Sequence, residues 1–103
     1  MRNKRRSRRE ILALLRSDKE TWRRYGVRRI GLFGSHARGR QSAMSDVDLV
    51  VDFGKPSFDN LMGLAEHLEG LLGKKVDVLT PQGIAGIRVR EVADSIKRSI
   101  VYV

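Results

Sequence analysis

The chain has 103 residues, no cysteine and a formal net charge of +9. That length fits one domain around a single core, and the missing thiols exclude disulfides, zinc–cysteine sites and thiol nucleophiles. The apolar run near the start, Ile11 to Leu15, is too short for a signal sequence or a membrane span, so a soluble, cytoplasmic protein is expected. The charge is unevenly spread. Arg2, Lys4, Arg5, Arg6, Arg8 and Arg9 lie near the N-terminus with no acid among them, and the rest of the chain carries only about +3. Residues 1–9 are therefore expected to form a basic, flexible arm, either a solvated tail or a nonspecific contact for RNA. Residues 10–103 are expected to form the domain. A catalytic module this small is expected to borrow a lid, a dimer mate or a partner protein to enclose its site.

Ser7-Arg8-Arg9-Glu10 before Ile-Leu-Ala-Leu-Leu matches a capping box, so a helix is expected from Arg8 to Lys19 or slightly beyond. Ile11, Leu12, Leu14 and Leu15 form its inner side. Trp22 and Tyr25 read as packing residues, and Gly26 as the stop. Val27 to Phe33 reads as a strand. Gly34-Ser35 turns out of it into a short helix ending near Gly39, with Ser35 also suited to be the N-cap. Met44 to Phe53 reads as a second strand, with Val47, Leu49 and Val51 on one face and Asp46, Asp48 and Val50 on the other. Leu61, Leu64, Ala65, Leu68, Leu71 and Leu72 mark an amphipathic helix ended by Gly73. Lys75 to Thr80 is a third strand, with Val76 and Val78 facing one way and Asp77 the other, and Pro81 breaks it. A last helical segment spans the apolar positions from Ile84 to Ile96. Ile100 to Val103 is expected to be an edge strand. The order implies an α/β (α+β) domain, a small mixed sheet flanked by helices.

The chemistry concentrates between Gly34 and Phe53. Asp46 and Asp48 are about 6.6 Å apart on one strand face, and Asp77 joins them if its strand lies alongside. Two carboxylates 4 Å apart repel by about 4 kcal/mol at an effective dielectric of 20, a cost that a divalent cation reverses. A few carboxylates plus substrate phosphates are how magnesium is held. Gly34 lets backbone approach a ligand, and Ser35 places a hydroxyl at a helix start that favours phosphate. Arg38 and Arg40 can add charge for a triphosphate. Phosphates beside metal-holding acids point to phosphoryl or nucleotidyl transfer.

These residues carry a family resemblance. Gly34-Ser35-x-Ala37-Arg38-Gly39-x5-Ser45-Asp46-x-Asp48-Leu49-x-Val51 is similar to the signature of polymerase-beta-like nucleotidyltransferases. Leu71 to Asp77, with Pro81 just beyond, resembles the minimal nucleotidyltransferases, a group that includes MntA-type antitoxins paired with HEPN-type toxins. The resemblance covers residues 26 to 103. It implies the polymerase-beta-like fold, with Asp46 and Asp48 bridging two magnesium ions and Asp77 holding the ion that activates the acceptor. Gly34 and Ser35 would hold the β- and γ-phosphates of ATP, with Arg38 as a further phosphate contact. AMP would pass to a tyrosine hydroxyl of the toxin and silence it.

Plainer roles suit several residues. Ser45 orients its loop, and Asp52, about 13 Å beyond Asp48, is surface. His36 and His67 lack ligand-spaced partners and are expected on helix surfaces. Glu66 and Glu69 are expected to solvate their helix. Two other functions keep the chain within reach of its composition. One transfers a nucleotide to a small molecule or an RNA 3′ end. The other masks a toxin or binds RNA without catalysis.

Overall fold

The computed structural model describes residues 6–39, 46–54 and 57–103. The capping box forms: Ser7 Oγ accepts from the Glu10 amide at 3.1 Å, and the Glu10 carboxylate accepts from the Ser7 amide at 3.3 Å. It starts helix α1, Arg8–Ser17, which buries Ile11, Leu12 and Leu15. The expected single helix is broken at Asp18, and α2 follows over Lys19–Arg24. Two contacts, one local and one long-range, explain the bend. Trp22 is buried with its indole N–H donated to the Leu15 carbonyl at 2.9 Å, and the Asp18 carboxylate pairs with His67 Nε2 at 2.7 Å. A straight helix would not serve both.

Strand β1 runs over Val27–Phe33, as its pattern predicts. Helix α3, Gly34–Arg38, follows without a gap, so its N-cap is Phe33 and not Ser35. Strand β2 is Val47–Phe53; Met44 and Ser45, placed in or beside it by the sequence, lie outside the described residues. Ser57 caps α4, Phe58–Leu72, by accepting from the Asn60 amide at 3.1 Å, and the helix stops at Gly73. Strand β3 is shorter than its pattern, Val76–Leu79. The last helical segment divides into α5, Pro81–Ala85, and α6, Arg90–Ser99. Thr80 caps α5 by accepting from the Gly83 amide at 3.0 Å, with Pro81 at the first helical position. Thr-Pro is thus a helix start as well as a strand stop. Strand β4 is Val101–Tyr102.

The described residues form a four-stranded mixed sheet in the order β3-β2-β1-β4. The β2–β3 pair is parallel, and β1 is antiparallel to both β2 and β4. One sheet face supplies Ile30, Leu32, Val47, Leu49 and Val51 to the main core, where they meet α1, α2 and α4 through Leu15, Trp22, Leu64, Leu68 and Leu72. The opposite face carries a smaller cluster, Phe33, Val50, Ile84 and Ala93, under α5 and α6. Gly31 permits that second layer, since a Cβ there would overlap Ile100 and the Tyr102 ring. None of the helices, among the described residues, is long and apolar enough to cross a membrane.

Two of the described N-terminal basic residues, Arg6 and Arg8, reach back onto the domain, whereas Arg9 is exposed. Arg6 donates to the Leu72 carbonyl at the end of α4, at 3.1 Å, and pairs with Glu10. Arg8 donates to the Ala37 carbonyl in α3 at 3.2 Å. Residues 1–5 of the expected arm lie outside the described residues.

Candidate active site

The acids meet at one end of the less covered sheet face. Strand β2 presents Asp48 on that face, and the parallel register sets Asp48 directly opposite Asp77 of β3. Asp46 lies just before β2, partly buried, whereas Asp77 is exposed on the edge strand. Phe33, the last residue of β1, pairs with Asp48 from the other side, so the turn at Gly34 opens directly over the carboxylate. The fit is close: Gly34 has φ +74, and a Cβ there would collide with the Asp48 carboxylate. Glycine is required here by conformation and by space.

The electrostatics match the geometry. Asp48 is pushed up to about 6, first by burial, then by the charges of Asp77 and Asp46. A carboxylate held against two others gains from a cation between them. Among the described residues, the side chains do not close into a ready-made metal cage. The carboxylates paired across β2 and β3 are of the donor type that magnesium uses, one or two at a time, with water and substrate phosphate completing its shell. Asp46, Asp48 and Asp77 are the residues that could hold it.

Other sequence-derived positions divide. Ser35 is half-buried in the first turn of α3, next to Gly34. The side chain of Arg38 lies outside the described residues, as do Arg40 and Ser45. Asp52 is well away from the acid cluster, but it is not a free surface group. The β-bulge between Val27 and Arg29 lets Arg28 and Arg29 both reach its carboxylate, at 3.3 and 3.7 Å.

Three expectations of surface polarity are corrected. His36 is fully buried, with no hydrogen-bond partner for either ring nitrogen among the described residues. Burial, then the nearby Lys74 charge, lowers its pKa, so the ring is neutral. His67 is partly buried, paired with Asp18 and stacked on Tyr25 with ring centres 5.9 Å apart. Glu69 accepts from the Val76 amide at 3.1 Å and so ties α4 to the start of β3. The burial of His36 and the partner of His67 come from other elements, and Glu69 reaches past the end of its own helix to the next strand, so spacing along one element carries no trace of them.

Lys74 was not singled out by the sequence, yet it is 0% exposed. The available signal was parity. Lys74 shares the inward phase of Val76 and Val78, so an extended segment beginning at Lys74 points it toward the interior.

Comparisons with known proteins show the family and the fold. Residues 14–103 match the model of the nucleotidyltransferase domain family. A candidate protein adenylyltransferase of Methanocaldococcus jannaschii is 41% identical over 98 residues, covering 91% of this chain and 95% of that protein. The protein adenylyltransferase MntA of Thermococcus cleftensis is 41% identical over 96 residues, covering 91% and 93%. Among solved structures, a candidate minimal nucleotidyltransferase superposes with a TM-score of 0.74 at 28% identity, over 93% of this chain and 95% of the other. At 22% identity, where likeness shows the fold alone, a toxin–antitoxin complex with AMP-PNP gives a TM-score of 0.60 over 92% of this chain and 70% of the other. A tri-AMPylated Shewanella oneidensis HEPN toxin in complex with its MNT antitoxin gives 0.53 at 19% identity, over 92% and 66%.

Proposed function

The chain belongs to the nucleotidyltransferase domain family, and we propose that it moves AMP from ATP to a tyrosine hydroxyl of a HEPN-type toxin, acting as that toxin's antitoxin. The observation that carries the chemistry is the Asp48–Asp77 pairing across β2 and β3, with Asp46 beside it and Gly34 against the Asp48 carboxylate. The relatives named as protein adenylyltransferases and the toxin–antitoxin complexes support a protein acceptor and a toxin partner.

In this reading Asp46, Asp48 and Asp77 would hold magnesium, two ions in all, beside the triphosphate and the acceptor. Magnesium, when bound, neutralises triphosphate charge and lowers the pKa of the acceptor hydroxyl. Gly34 brings backbone close to the phosphates, and Ser35 offers its hydroxyl and amide to them, with Arg38 as a further contact. The acceptor oxygen forms a bond to the α-phosphorus as the bond to the bridging oxygen breaks, the hydroxyl proton passes to solvent, and pyrophosphate leaves with the bridging oxygen. Asp77, exposed at the sheet edge, stands where a protein acceptor can approach without passing through the fold.

Incubation with α-labelled ATP, magnesium and a HEPN-type toxin should label the toxin at tyrosine. Equal labelling by a chain carrying Asp46→Asn and Asp48→Asn would sink the site. Label found only on RNA, or no label with toxin activity still masked, would transfer the role to the alternative acceptors or to binding without catalysis.

A further inference from the structure

The sheet face that carries the acids also holds a cavity of about 230 Å3, lined by Val50, Pro81, Ile84, Lys97, Ile100 and Tyr102. It lies one residue row away from the acid end. Phe33, Asp48 and Asp77 form one row across the strands, and in the next row Gly31 stands between Val50 and Tyr102. Ile100 and the Tyr102 ring settle over Gly31, where a Cβ would overlap both.

The interior and the mouth of this cavity differ in chemistry. Val50, Pro81, Ile84 and Ile100 present only carbon side chains, so a nucleobase seated among them would lose water from its polar edges without side-chain partners in return. A plain hydrocarbon ring has no such cost. Lys97 and Tyr102 are exposed, and neither the ammonium nor the phenol has a hydrogen bond or ion pair among the described residues. No acid lines the cavity. Asp52, which follows Val50 on the same face of β2, is already engaged by Arg28 and Arg29 at 3.3 and 3.7 Å. The Arg29 guanidinium also lies 4.2 Å from the centre of the Tyr102 ring, which steadies that ring as a wall. Apolar walls end in an uncompensated positive mouth. Size narrows the ligand further. A cavity of about 150 Å3 admits benzene, and drug-sized ligands occupy about 300 Å3 or more, so this one has room for one ring and a short tail. One ammonium matches the single charge of a carboxylate better than the nearly double charge of a phosphate monoester.

We propose that this cavity is a binding site for a small aromatic carboxylate, with its ring against Val50, Ile84 and Ile100, its carboxylate at Lys97, and the Tyr102 hydroxyl as a second donor. The site stands apart from the acids and does not depend on the adenylyl-transfer reading.

Titration of the full chain with 3-phenylpropionate, in the absence of nucleotide and followed by methyl NMR, tests this. The methyl signals of Val50, Ile84 and Ile100 should shift together and saturate, with a Kd of roughly 5 mM or tighter, the weak end for a ligand of this size. The neutral isostere 3-phenylpropanol should bind about 3-fold more weakly, and Lys97→Glu should weaken the acid about 5-fold while leaving the alcohol unchanged. Ile100→Trp, which fills the cavity, should abolish the shifts at Val50 and Ile84. Should that variant fail to fold, Lys97→Glu, a surface change, still decides. Shifts that do not saturate, or that spread over the surface and miss these three methyls, overturn the proposal. So does equal binding of acid and alcohol, or an Ile100→Trp chain that binds like the parent. Magnesium and ATP should leave the probe bound, and competitive displacement would assign the cavity to the nucleotide and overturn the proposal as well.

Discussion

The two faces of the sheet are built to different ends. Under α1, α2 and α4, one face is closed by Leu15, Trp22, Leu64, Leu68 and Leu72, all essentially without solvent exposure. Under α5 and α6, the other face has a four-residue buried cluster and a cavity of about 230 Å3 lined by Val50, Pro81, Ile84, Lys97, Ile100 and Tyr102. At the end occupied by Asp48 and Asp77, charge replaces apolar side chains. Strand β2 belongs to both regions. Its Val47, Leu49 and Val51 anchor the closed face, so the backbone that displays Asp48 is fixed by about 2 kcal/mol of burial per side chain. The rigid face thereby bears the cost of holding like charges together on the other.

Substitutions on the two faces should have opposite signatures. Asp48→Asn should cut AMP transfer by more than about 100-fold, the scale of losing a metal-holding group. In magnesium-free buffer at pH 7 the same variant should be more stable than the parent, by up to about 3 kcal/mol, because it no longer ionises a crowded carboxylate. Leu68→Ala should do the reverse: about 2–5 kcal/mol lost in denaturant unfolding, with the activity of the folded fraction retained. A destabilised Asp48→Asn, or a stable but inactive Leu68→Ala, would erase the distinction.

A pH titration sharpens the contrast. The folded Asp48 carboxyl titrates near 6, above its ordinary value of 3.8. Its contribution to stability is therefore complete below about 3.8 and is lost as pH rises through about 6. Magnesium binding runs the other way, since only the ionised carboxylate ligates, so magnesium affinity should climb as pH rises through about 6. Melts with and without magnesium across that window would check both slopes, and Asp48→Asn should flatten the two. The smallest effect expected is at Arg8, whose guanidinium reaches the Ala37 carbonyl in α3. Arg8→Met should cost about 0.5–1.5 kcal/mol in thermal unfolding, and a change below about 0.2 kcal/mol would mark that contact as incidental.

Much of this architecture was legible locally. Val27 to Phe33 has the bounds of β1, and the leucine spacing from Leu61 to Leu72 together with Gly73 predicts α4 and its stop. The capping box at Ser7 was equally plain. Such features depend on neighbours a few residues apart, which periodicity and capping rules describe. The break at Asp18, the tie from Glu69 to Val76 and the buried His36 depend on partners supplied by other elements. No pattern within one helix reports them.

The sequence by itself determined the strands, the turn at Gly34 and the face on which Asp48 stands, because alternation and turn chemistry act within a few residues. Only the tertiary structure decided that Asp77 stands opposite Asp48 and that Lys74 is buried. Both follow from the α4 crossover, which returns the chain parallel to β2 in a register chosen by the packing of Leu64, Leu68 and Leu72 against the sheet. That choice is made by burial summed over a whole face, and a one-residue slip would turn Asp77 inward and Val76 out.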